Sequence, residues 1–304
     1  MDQQALLKEI EPVAEDLLNR HLGVAKEWFP HQMVPYSRGK DYEPGRVWSS
    51  QDSDFGADNV EMPEAVRASL FVNLLTEDNL PYYSRDISNL FGSDGAYGEW
   101  GRNWTAEEGR HSIVIRDYIT VTRAIDPVGL ERARMQQVRG AQVPAPLDLF
   151  EALAYLSMQE LATRIAHRNT GKVIEDEVGE AIMSRVGNDE NLHYLFYRDL
   201  ATAALAVDPS NMVIGIERAV RTFAMPGTGI PDFERLAREI ARVGIYDLLI
   251  HHDQILQPVV LRHWKIDQVT GLSSEAEKAR EALLKRIERI GKVGAKMAGD
   301  RARV

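Results

Sequence analysis

One stretch of the sequence occurs twice, and this repeat limits the fold more than any other feature. EGRHSIVIRDYITVTRAIDP, which begins at Glu108, aligns without a gap with ENLHYLFYRDLATAALAVDP, which begins at Glu190. Both copies begin with Glu-x-x-His, contain an Arg-Asp pair and end in Asp-Pro. Agreement at all of these features in one register indicates a duplicated segment, so we expect two related helices in the fold.

Apolar residues recur at intervals of three and four along most of the chain, which is the spacing of one helix face. The segments with this pattern are 6–18, 66–75, 113–121, 147–165 and 192–207. Further helices are expected at 232–243, 246–263 and 274–297, whereas Pro, Gly, Asp and Ser predict loops at 35–64 and 139–148. Because strand-like alternation is nearly absent, we predict an all-α protein with one domain over 1–304.

The composition excludes several kinds of site. The chain has no cysteine, so any metal must be bound by carboxylates and imidazoles rather than by thiolates. The formal net charge of −10 is unfavourable for binding nucleic acid, which needs a basic face. No window approaches the roughly 18 to 20 apolar residues of a membrane span, and the first residues lack an apolar signal-peptide core. We therefore expect a cytoplasmic protein that binds neither nucleic acid nor membrane.

Glu-x-x-His places a carboxylate and an imidazole on one face of a helix, one turn apart. The repeat contains two such pairs, Glu108 with His111 and Glu190 with His193. In di-iron carboxylate bundles, two pairs of this kind are completed by one Glu from each of two other helices. Glu77 lies 31 positions before the first pair and Glu160 lies 30 positions before the second, each in an apolar helical stretch.

Taken one at a time, these residues would be ordinary surface carboxylates or hydrogen-bonded core histidines. Together they offer six oxygen and nitrogen ligands without sulfur, which favours two bridged ions of iron or manganese. The residue before each repeated glutamate is also acidic, and metal-bound histidines usually donate their other N–H to a carboxylate. The twofold relation of the copies therefore predicts that Asp189 holds His111 and that Glu107 holds His193. For Arg110 we expect an ion pair with nearby carboxylates.

Four segments resemble the soluble acyl-ACP desaturases, meaning the plant stearoyl-ACP desaturase family and its actinobacterial relatives. WTAEEGRH is similar to the family's WTAEENRH, TEDNLPYY to TEEALPTY, MQELATRIAHRNT to FQERATFISHGNT, and RHWKIDQVTGLSSEAEKAR to GRWKVDKLTGLSAEGQKAQ. The similarity runs from about Trp28 to the last predicted helix. It implies a ferritin-like four-helix bundle core with additional peripheral helices.

The resemblance implies that two iron ions, for which manganese is a substitute, bind to Glu77, Glu108, His111, Glu160, Glu190 and His193. It also implies that the Thr163 hydroxyl lies beside the oxygen-binding face and that electrons pass through Trp28, Asp189 and His111. His167 matches a family histidine, for which we expect a packing or supporting role rather than metal ligation. Asp86 and Asn89 are polar where the floor of an alkyl pocket is expected, so the family's pocket residues are not transferred.

The implied activity is the introduction of a cis double bond into a fatty acyl chain carried on acyl carrier protein. Reduced ferredoxin would supply the electrons, O2 would be the oxidant, and the enzyme would be a homodimer of fatty acid biosynthesis. The alternatives are another oxygen-activating di-iron enzyme, either hydroxylating or radical-generating, and a non-catalytic iron-binding bundle. Tyr197, four residues after His193, is the candidate for a radical, although packing in the core is the simpler interpretation. A complete set of six ligands argues against an inactive relative.

Overall fold

The structure is a computed structural model, and it describes residues 2–39, 42, 62–140, 143, 146 and 148–301. Twelve α-helices account for most of these residues, and no strand occurs in the described part of the chain. The prediction of an all-α protein is therefore confirmed. Most of the predicted loops at 35–64 and 139–148 lie outside the described residues.

The helices, in chain order, are α1 (Gln3–Val24), α2 (Pro30–Met33), α3 (Glu64–Glu77), α4 (Leu80–Phe91), α5 (Gly95–Thr122), α6 (Pro127–Gly140), α7 (Leu149–Val173), α8 (Glu177–Val207), α9 (Pro209–Thr222), α10 (Phe233–Arg242), α11 (Leu248–His251) and α12 (Ser274–Arg301). Three short 3₁₀ turns lie at Tyr36–Arg38, Pro226–Gly229 and Ile266–Gln268. A π-helical segment, His252–His263, directly continues α11.

Aspartate starts several of these helices by accepting a hydrogen bond from a backbone N–H that the first turn leaves unpaired. The Asp-Pro that ends each copy of the repeat has this role. Asp208 accepts from the Asn211 N–H at the start of α9, and Asp126 accepts from the Val128 N–H at the start of α6. Proline suits the first helical position because its fixed φ matches the helix and it has no N–H to satisfy. Each copy of the repeat thus covers the later part of a long helix and the residue that caps the next helix.

Four helices, α3, α5, α7 and α8, pack against one another and form the bundle that was expected from the sequence. The two copies of the repeat occupy α5 and α8, which are in contact. The first helix, α1, lies against both of them, so it covers the side of the bundle where the repeated helices meet. On the outside, α9 packs against α7 and α12, and α10 packs against α3.

The helix that contains Glu77 ends at this residue. A turn at Asp78 and Asn79 separates α3 from α4. Arg134 of α6 holds the Asp78 carboxylate with two hydrogen bonds, from Nε at 2.7 Å and from Nη2 at 3.0 Å. Pro81 lies in the first turn of α4, where its missing N–H costs nothing. The break places Glu77 at a helix end that its neighbours fix.

The predicted α-helix over 246–263 is wrong in its type. Only Leu248–His251 is α-helical, and residues His252–His263 have the wider π-helical spacing. Pro258 lies inside the segment, where an α-helical turn would bring its ring against the carbonyl of residue 254. Its buried residues, Ile255, Leu256, Val259 and Val260, all contribute to the core. The core therefore keeps the segment helical although proline disfavours regular α-helix.

We expect Gly215→Ala to lower the free energy of unfolding by about 1–3 kcal/mol through overpacking. A Cβ atom at Gly215 of α9 would lie 2.6 Å from the Phe150 carbonyl carbon and 2.9 Å from the Glu151 nitrogen in α7. Backbone atoms cannot move aside as a flexible side chain can. Gly23→Ala is the matched control, because nothing lies within 4 Å of its added Cβ. Thermal or urea denaturation measures both, and equal stability of the two variants would contradict this packing.

Candidate metal centre

Four carboxylates and two imidazoles from α3, α5, α7 and α8 meet in the centre of the bundle. None of the six residues is more than 7% exposed. Their potential ligand atoms form two groups in which all atoms lie within 4.8 Å of one another: Glu77, Glu108, His111 and Glu190 in the first group, and Glu108, Glu160, Glu190 and His193 in the second. Glu108 and Glu190 belong to both groups. We call these six residues the cage.

Each imidazole directs its Nδ1 at the carboxylates of its own group. His111 Nδ1 lies 3.2 Å from Glu108 Oε2 and 3.5 Å from Glu190 Oε1. In the second group, His193 Nδ1 lies 2.9 Å from Glu108 Oε1 and 3.6 Å from Glu160 Oε2. The two oxygens of Glu108 therefore face different groups, which is the arrangement of a bridging carboxylate.

Several atoms of the cage lack a hydrogen-bond partner within the described part of the chain, namely Glu108 Oε1, Glu160 Oε2 and His193 Nδ1. The first and last of these are only 2.9 Å apart, but their orientation does not make a hydrogen bond. Buried polar atoms without partners cost free energy, and buried carboxylates cost more. Because the atoms converge on common points rather than pair with each other, the donor set fits two cations.

Burial and charge repulsion act strongly on the acidic members of the cage. Burial raises the pKa of Glu77 to about 7, and burial together with its acidic neighbours raises the pKa of Glu160 well above its usual range. Burial also disfavours the charged form of Glu190, but hydrogen bonds from His111 and His167 hold its pKa well below the usual range. A bound cation would favour the ionised form of all four carboxylates, because opposite charge stabilises a carboxylate.

The other ring nitrogen of each imidazole contacts the acidic residue that was expected from the repeat. His193 Nε2 lies 2.8 Å from Glu107 Oε2, and His111 Nε2 lies 3.5 Å from Asp189 Oδ2. Since a carboxylate only accepts, each Nε2 donates its proton in these contacts, and a bound cation would take the Nδ1 lone pair in place of a proton. Despite burial, hydrogen bonds from His193 and His21 hold the pKa of Glu107 below its usual range.

A further side chain contacts each of these two acidic residues, and it is of a different type on the two sides. Trp28 donates its indole N–H to Asp189 Oδ2 at 2.7 Å, and its ring stacks on His111 with centroids 6.4 Å apart. On the other side, the buried His21 of α1 lies 3.2 Å from Glu107 Oε1 through its Nε2. The sequence offered no motif for His21, and its only hint was an imidazole among the apolar positions of α1.

Two arginines hold the acidic residues outside the cage. Arg110 Nη2 lies 3.6 Å from Asp189 Oδ2 and 3.8 Å from Glu107 Oε1, which confirms its expected pairing with carboxylates. Its guanidinium also lies over the Trp28 ring, 5.1 Å from the centroid. Arg185 pairs with the other oxygen of Asp189 and lies over the same ring, at 5.8 Å. Arg110 thus spans the two halves of the repeat.

The remaining residues predicted for the site surround the cage. Thr163 donates its hydroxyl to Glu190 Oε2 at 2.8 Å or to the Glu160 carbonyl at 3.0 Å. His167 Nε2 lies 3.4 Å from Glu77 Oε1 and 3.6 Å from Glu190 Oε1, at ion-pair distance from both. The sequence did not identify Trp104, whose indole N–H donates to Glu160 Oε1 at 3.2 Å.

A narrow cavity of about 60 Å³ reaches the carboxylates of the cage. Its lining includes Glu77, Glu108 and Glu190 of the cage and the Thr163 hydroxyl. Most of the other lining residues are apolar or aromatic, among them Ile87, Leu90, Trp104, Ala152, Tyr155 and Leu156, and the polar side chains of Thr76 and Gln159 also line it. Of the two polar residues noted in α4, Asp86 lines the cavity and Asn89 is exposed elsewhere. The cavity suits a largely apolar molecule that approaches the cage.

Tyr197 lies in the aromatic core beside the second group. Its ring contacts Trp100 edge-on with centroids 5.7 Å apart and packs against Phe91 and Phe196. The hydroxyl is fully buried and has no hydrogen-bond partner among the residues that the structure describes. Burial raises the pKa of Tyr197 above its ordinary value. The packing is that of a core tyrosine.

Comparison with known proteins places this site in a family context. A family model described as fatty acid desaturase matches residues 2–304. A Mycobacterium tuberculosis protein named as an acyl-[acyl-carrier-protein] desaturase, DesA1, is 41% identical over an alignment of 286 positions. The alignment covers 91% of this chain and 83% of that protein. Acyl-[acyl-carrier-protein] desaturase 6, chloroplastic, of Oryza sativa subsp. japonica is 27% identical over an alignment of 328 positions. The alignment covers 98% of this chain and 75% of that protein.

The fold also matches a solved structure. The X-ray structure of DesA2 from Mycobacterium tuberculosis superposes with a TM-score of 0.69 and 24% identity, over 90% of this chain and 99% of that chain. At this identity the match supports the fold alone. Among the described residues, no helix is both long and apolar enough to cross a membrane.

We expect two divalent metal ions per chain. The number of ions lost when a ligand is substituted should depend on whether that ligand belongs to one group or to both. Glu160→Ala removes a ligand of the second group only and should leave one ion bound, whereas Glu190→Ala affects both groups and should leave none. Titration of the metal-free protein with Co(II), followed by absorbance, measures the stoichiometry. Two tightly bound ions in Glu190→Ala would contradict the shared role.

Glu107→Gln should weaken metal binding at the second group by roughly 10- to 100-fold, because the amide no longer accepts the His193 proton as a carboxylate does. The first group should keep its affinity. Glu99→Gln is the matched control, since Glu99 lies exposed on the same helix. Competitive titration with a chelator measures both affinities, and unchanged affinity in Glu107→Gln would show that the contact with His193 has no effect on the metal.

Proposed function

We propose that this chain, which belongs to the fatty acid desaturase family, introduces a cis double bond into a fatty acyl chain carried on acyl carrier protein. The observation that carries the proposal is the cavity that joins an apolar passage to the carboxylates of a two-metal cage. The relatives named as acyl-ACP desaturases support the choice of substrate. The cage and the apolar passage together suit an oxidation of a hydrocarbon chain.

We infer that the two ions are iron, held by Glu77, Glu108, His111, Glu160, Glu190 and His193. Hard carboxylate oxygens with one imidazole for each ion suit iron, and manganese is the substitute with the nearest ligand preference. Iron is the choice that fits an oxidation by O2, which requires a metal that exchanges electrons. When bound, the irons supply the activation of O2 that removes two hydrogens from adjacent methylenes.

The side chains of this protein would direct that chemistry in three ways. The apolar walls of the cavity exclude water and align the alkyl chain beside the cage, so that one pair of carbons lies nearest to the metals. The Thr163 hydroxyl can donate to Glu190 Oε2 or to the backbone carbonyls of Gln159 and Glu160, so it can turn its proton towards the cage or away from it. The hydrogen-bonded series Trp28, Asp189 and His111 leads from the segment between α1 and α2 inward to the first group.

The proposal includes an electron donor of the ferredoxin type, a homodimer and a cytoplasmic location, each as expected from the family resemblance. A radical-generating role finds no support in the surroundings of Tyr197, because its ring packs among Trp100, Phe91 and Phe196 rather than on a carboxylate. The one-domain organisation over 1–304 remains a prediction.

The reaction is tested with Fe(II)-loaded protein, ferredoxin, its reductase, NADPH, O2 and a panel of saturated acyl-ACPs. Mass spectrometry should show a product that has lost two hydrogens, and Glu160→Ala combined with Glu190→Ala should abolish it. No desaturated product from any acyl-ACP, despite two bound irons per chain, would refute the proposed function. Activity that survives the double substitution would refute the assignment of the site.

Thr163→Val should lower the rate of desaturation by about tenfold, because it removes a hydroxyl that is hydrogen-bonded to a charged cage residue. Thr163→Ser keeps the hydroxyl and should restore most of the rate. Thr202→Val, at an exposed position of α8, is the control for loss of a threonine hydroxyl. Single-turnover kinetics with iron-loaded protein measures the effect, and a normal rate in Thr163→Val would leave the hydroxyl without a role in the reaction.

Trp28→Phe should slow reduction of the iron centre by the donor protein, since it removes the indole N–H that binds Asp189. Binding of the two irons should be unchanged, because the Trp28 N–H donates to Asp189 and not to any of the four carboxylates or two ring Nδ1 atoms of the cage. Stopped-flow absorbance with reduced ferredoxin measures the rate of reduction. A rate equal to that of the wild type would mean that electrons enter elsewhere.

A further inference from the structure

Among the described residues that line the cavity, Asp86 is the one carboxylate outside the cage. It occupies the middle of the α4 face that borders the cavity, between Tyr83 three residues before it and Ile87 and Leu90 after it. Asp86 is nine positions after Glu77 in the sequence, and the turn at Asp78 and Asn79 lies between them. Its position on this face is one where an apolar side chain would be expected.

The two oxygens of Asp86 have different surroundings. Arg85 donates to Oδ1 from Nε at 2.9 Å, and its Nη2 lies 2.8 Å from the same oxygen. Oδ2 accepts no hydrogen bond from any residue in the described part of the chain. The Asp86 side chain is 29% exposed, so water reaches it when the cavity holds no substrate. One acceptor oxygen therefore remains available to a molecule in the cavity.

A plain alkyl chain would remove water from this oxygen and offer nothing in return. Burying a polar group without a hydrogen bond costs free energy, and a charged acceptor loses more than a neutral one. A site that retains such a group gains affinity and selectivity only from a ligand that satisfies it. The cavity thus combines a mostly apolar lining with a carboxylate oxygen that a ligand can satisfy.

We propose that Asp86 Oδ2 accepts a hydrogen bond from the substrate, either from a hydroxyl on the acyl chain or from an amide N–H of the arm that attaches the chain to its carrier. Asp86 is then a specificity-determining residue that fixes how far the chain enters relative to the cage. Both donors have the same chemistry, and they differ in whether the acyl chain itself is oxygenated. This inference rests on the proposed function for its substrate class.

The test measures binding of acyl-ACPs to the metal-free protein, so that it does not depend on any turnover. The ligands are long-chain saturated acyl-ACPs and the same chains with one hydroxyl at successive carbons, together with the free hydroxy acids. The variants are Asp86→Leu, which removes the acceptor, and Asp86→Asn, which keeps an acceptor oxygen. Asn89→Leu is the matched control, because Asn89 is exposed on the same helix and does not line the cavity.

A hydroxyl donor predicts that the wild type prefers one hydroxyl position and that Asp86→Leu weakens binding of that ligand by about tenfold or more. The effect should persist with the free hydroxy acid, be smaller in Asp86→Asn and be absent in Asn89→Leu. A donor on the carrier arm predicts instead that Asp86→Leu weakens every acyl-ACP by a similar factor and leaves the free acids unaffected. Either pattern supports the proposal.

The proposal is overturned if Asp86→Leu binds every acyl-ACP and every free acid as tightly as the wild type or more tightly. Circular dichroism and thermal denaturation of each variant identify loss of fold, and Asp86→Asn, which is nearly isosteric, provides the second measurement if Asp86→Leu does not fold. If the iron-loaded protein desaturates a plain acyl-ACP but substitution of Asp86 changes no binding, the proposed function stands and this inference alone is rejected. If binding depends on Asp86 but the iron-loaded protein desaturates nothing, this inference stands and the proposed function is rejected.

Discussion

Four carboxylates share one buried space at the centre of the bundle, and the rest of the structure is arranged around their repulsion. Like charges in a medium of low dielectric constant repel strongly, and burial together with the neighbouring carboxylates raises the pKa of Glu77 to about 7. Two ligand imidazoles cannot neutralise four carboxylates, whereas two divalent ions can. The helix pairing, the outer acidic residues and the arginines beyond them follow from the need to hold these groups against that repulsion.

The duplicated helices build two similar halves of the site, and the side chains that surround the two halves differ. Each half has a histidine held by an acidic residue of the other half, and Arg110 lies between these two acidic residues. Beyond them the symmetry ends, with an indole at Trp28 and an imidazole at His21. The cavity likewise reaches the carboxylates from one side. Trp28 does not line this cavity, so the proposed electron path and the proposed substrate entry use different residues.

The sequence predicts the cage because its ligands are specified by short motifs and by their spacing along the chain. Glu-x-x-His fixes both side chains on one helix turn, and the repeat supplies the second pair and the spacing to Glu77 and Glu160. His21 could not be found this way, since it reaches Glu107 only because α1 packs across α5 and α8. The break after Glu77 and the π-helical turn around Pro258 likewise depend on contacts with distant residues such as Arg134. Local rules place the ligands, and packing supplies their supports.

The central claim is that two cations lie between the four buried carboxylates. X-ray diffraction from crystals of the Fe(II)-loaded protein, recorded on both sides of the iron absorption edge, locates iron directly. The account predicts two anomalous peaks in the cage, one beside Glu77 and His111 and the other beside Glu160 and His193, with Glu108 and Glu190 between them. A single peak, or peaks outside these six side chains, would contradict it.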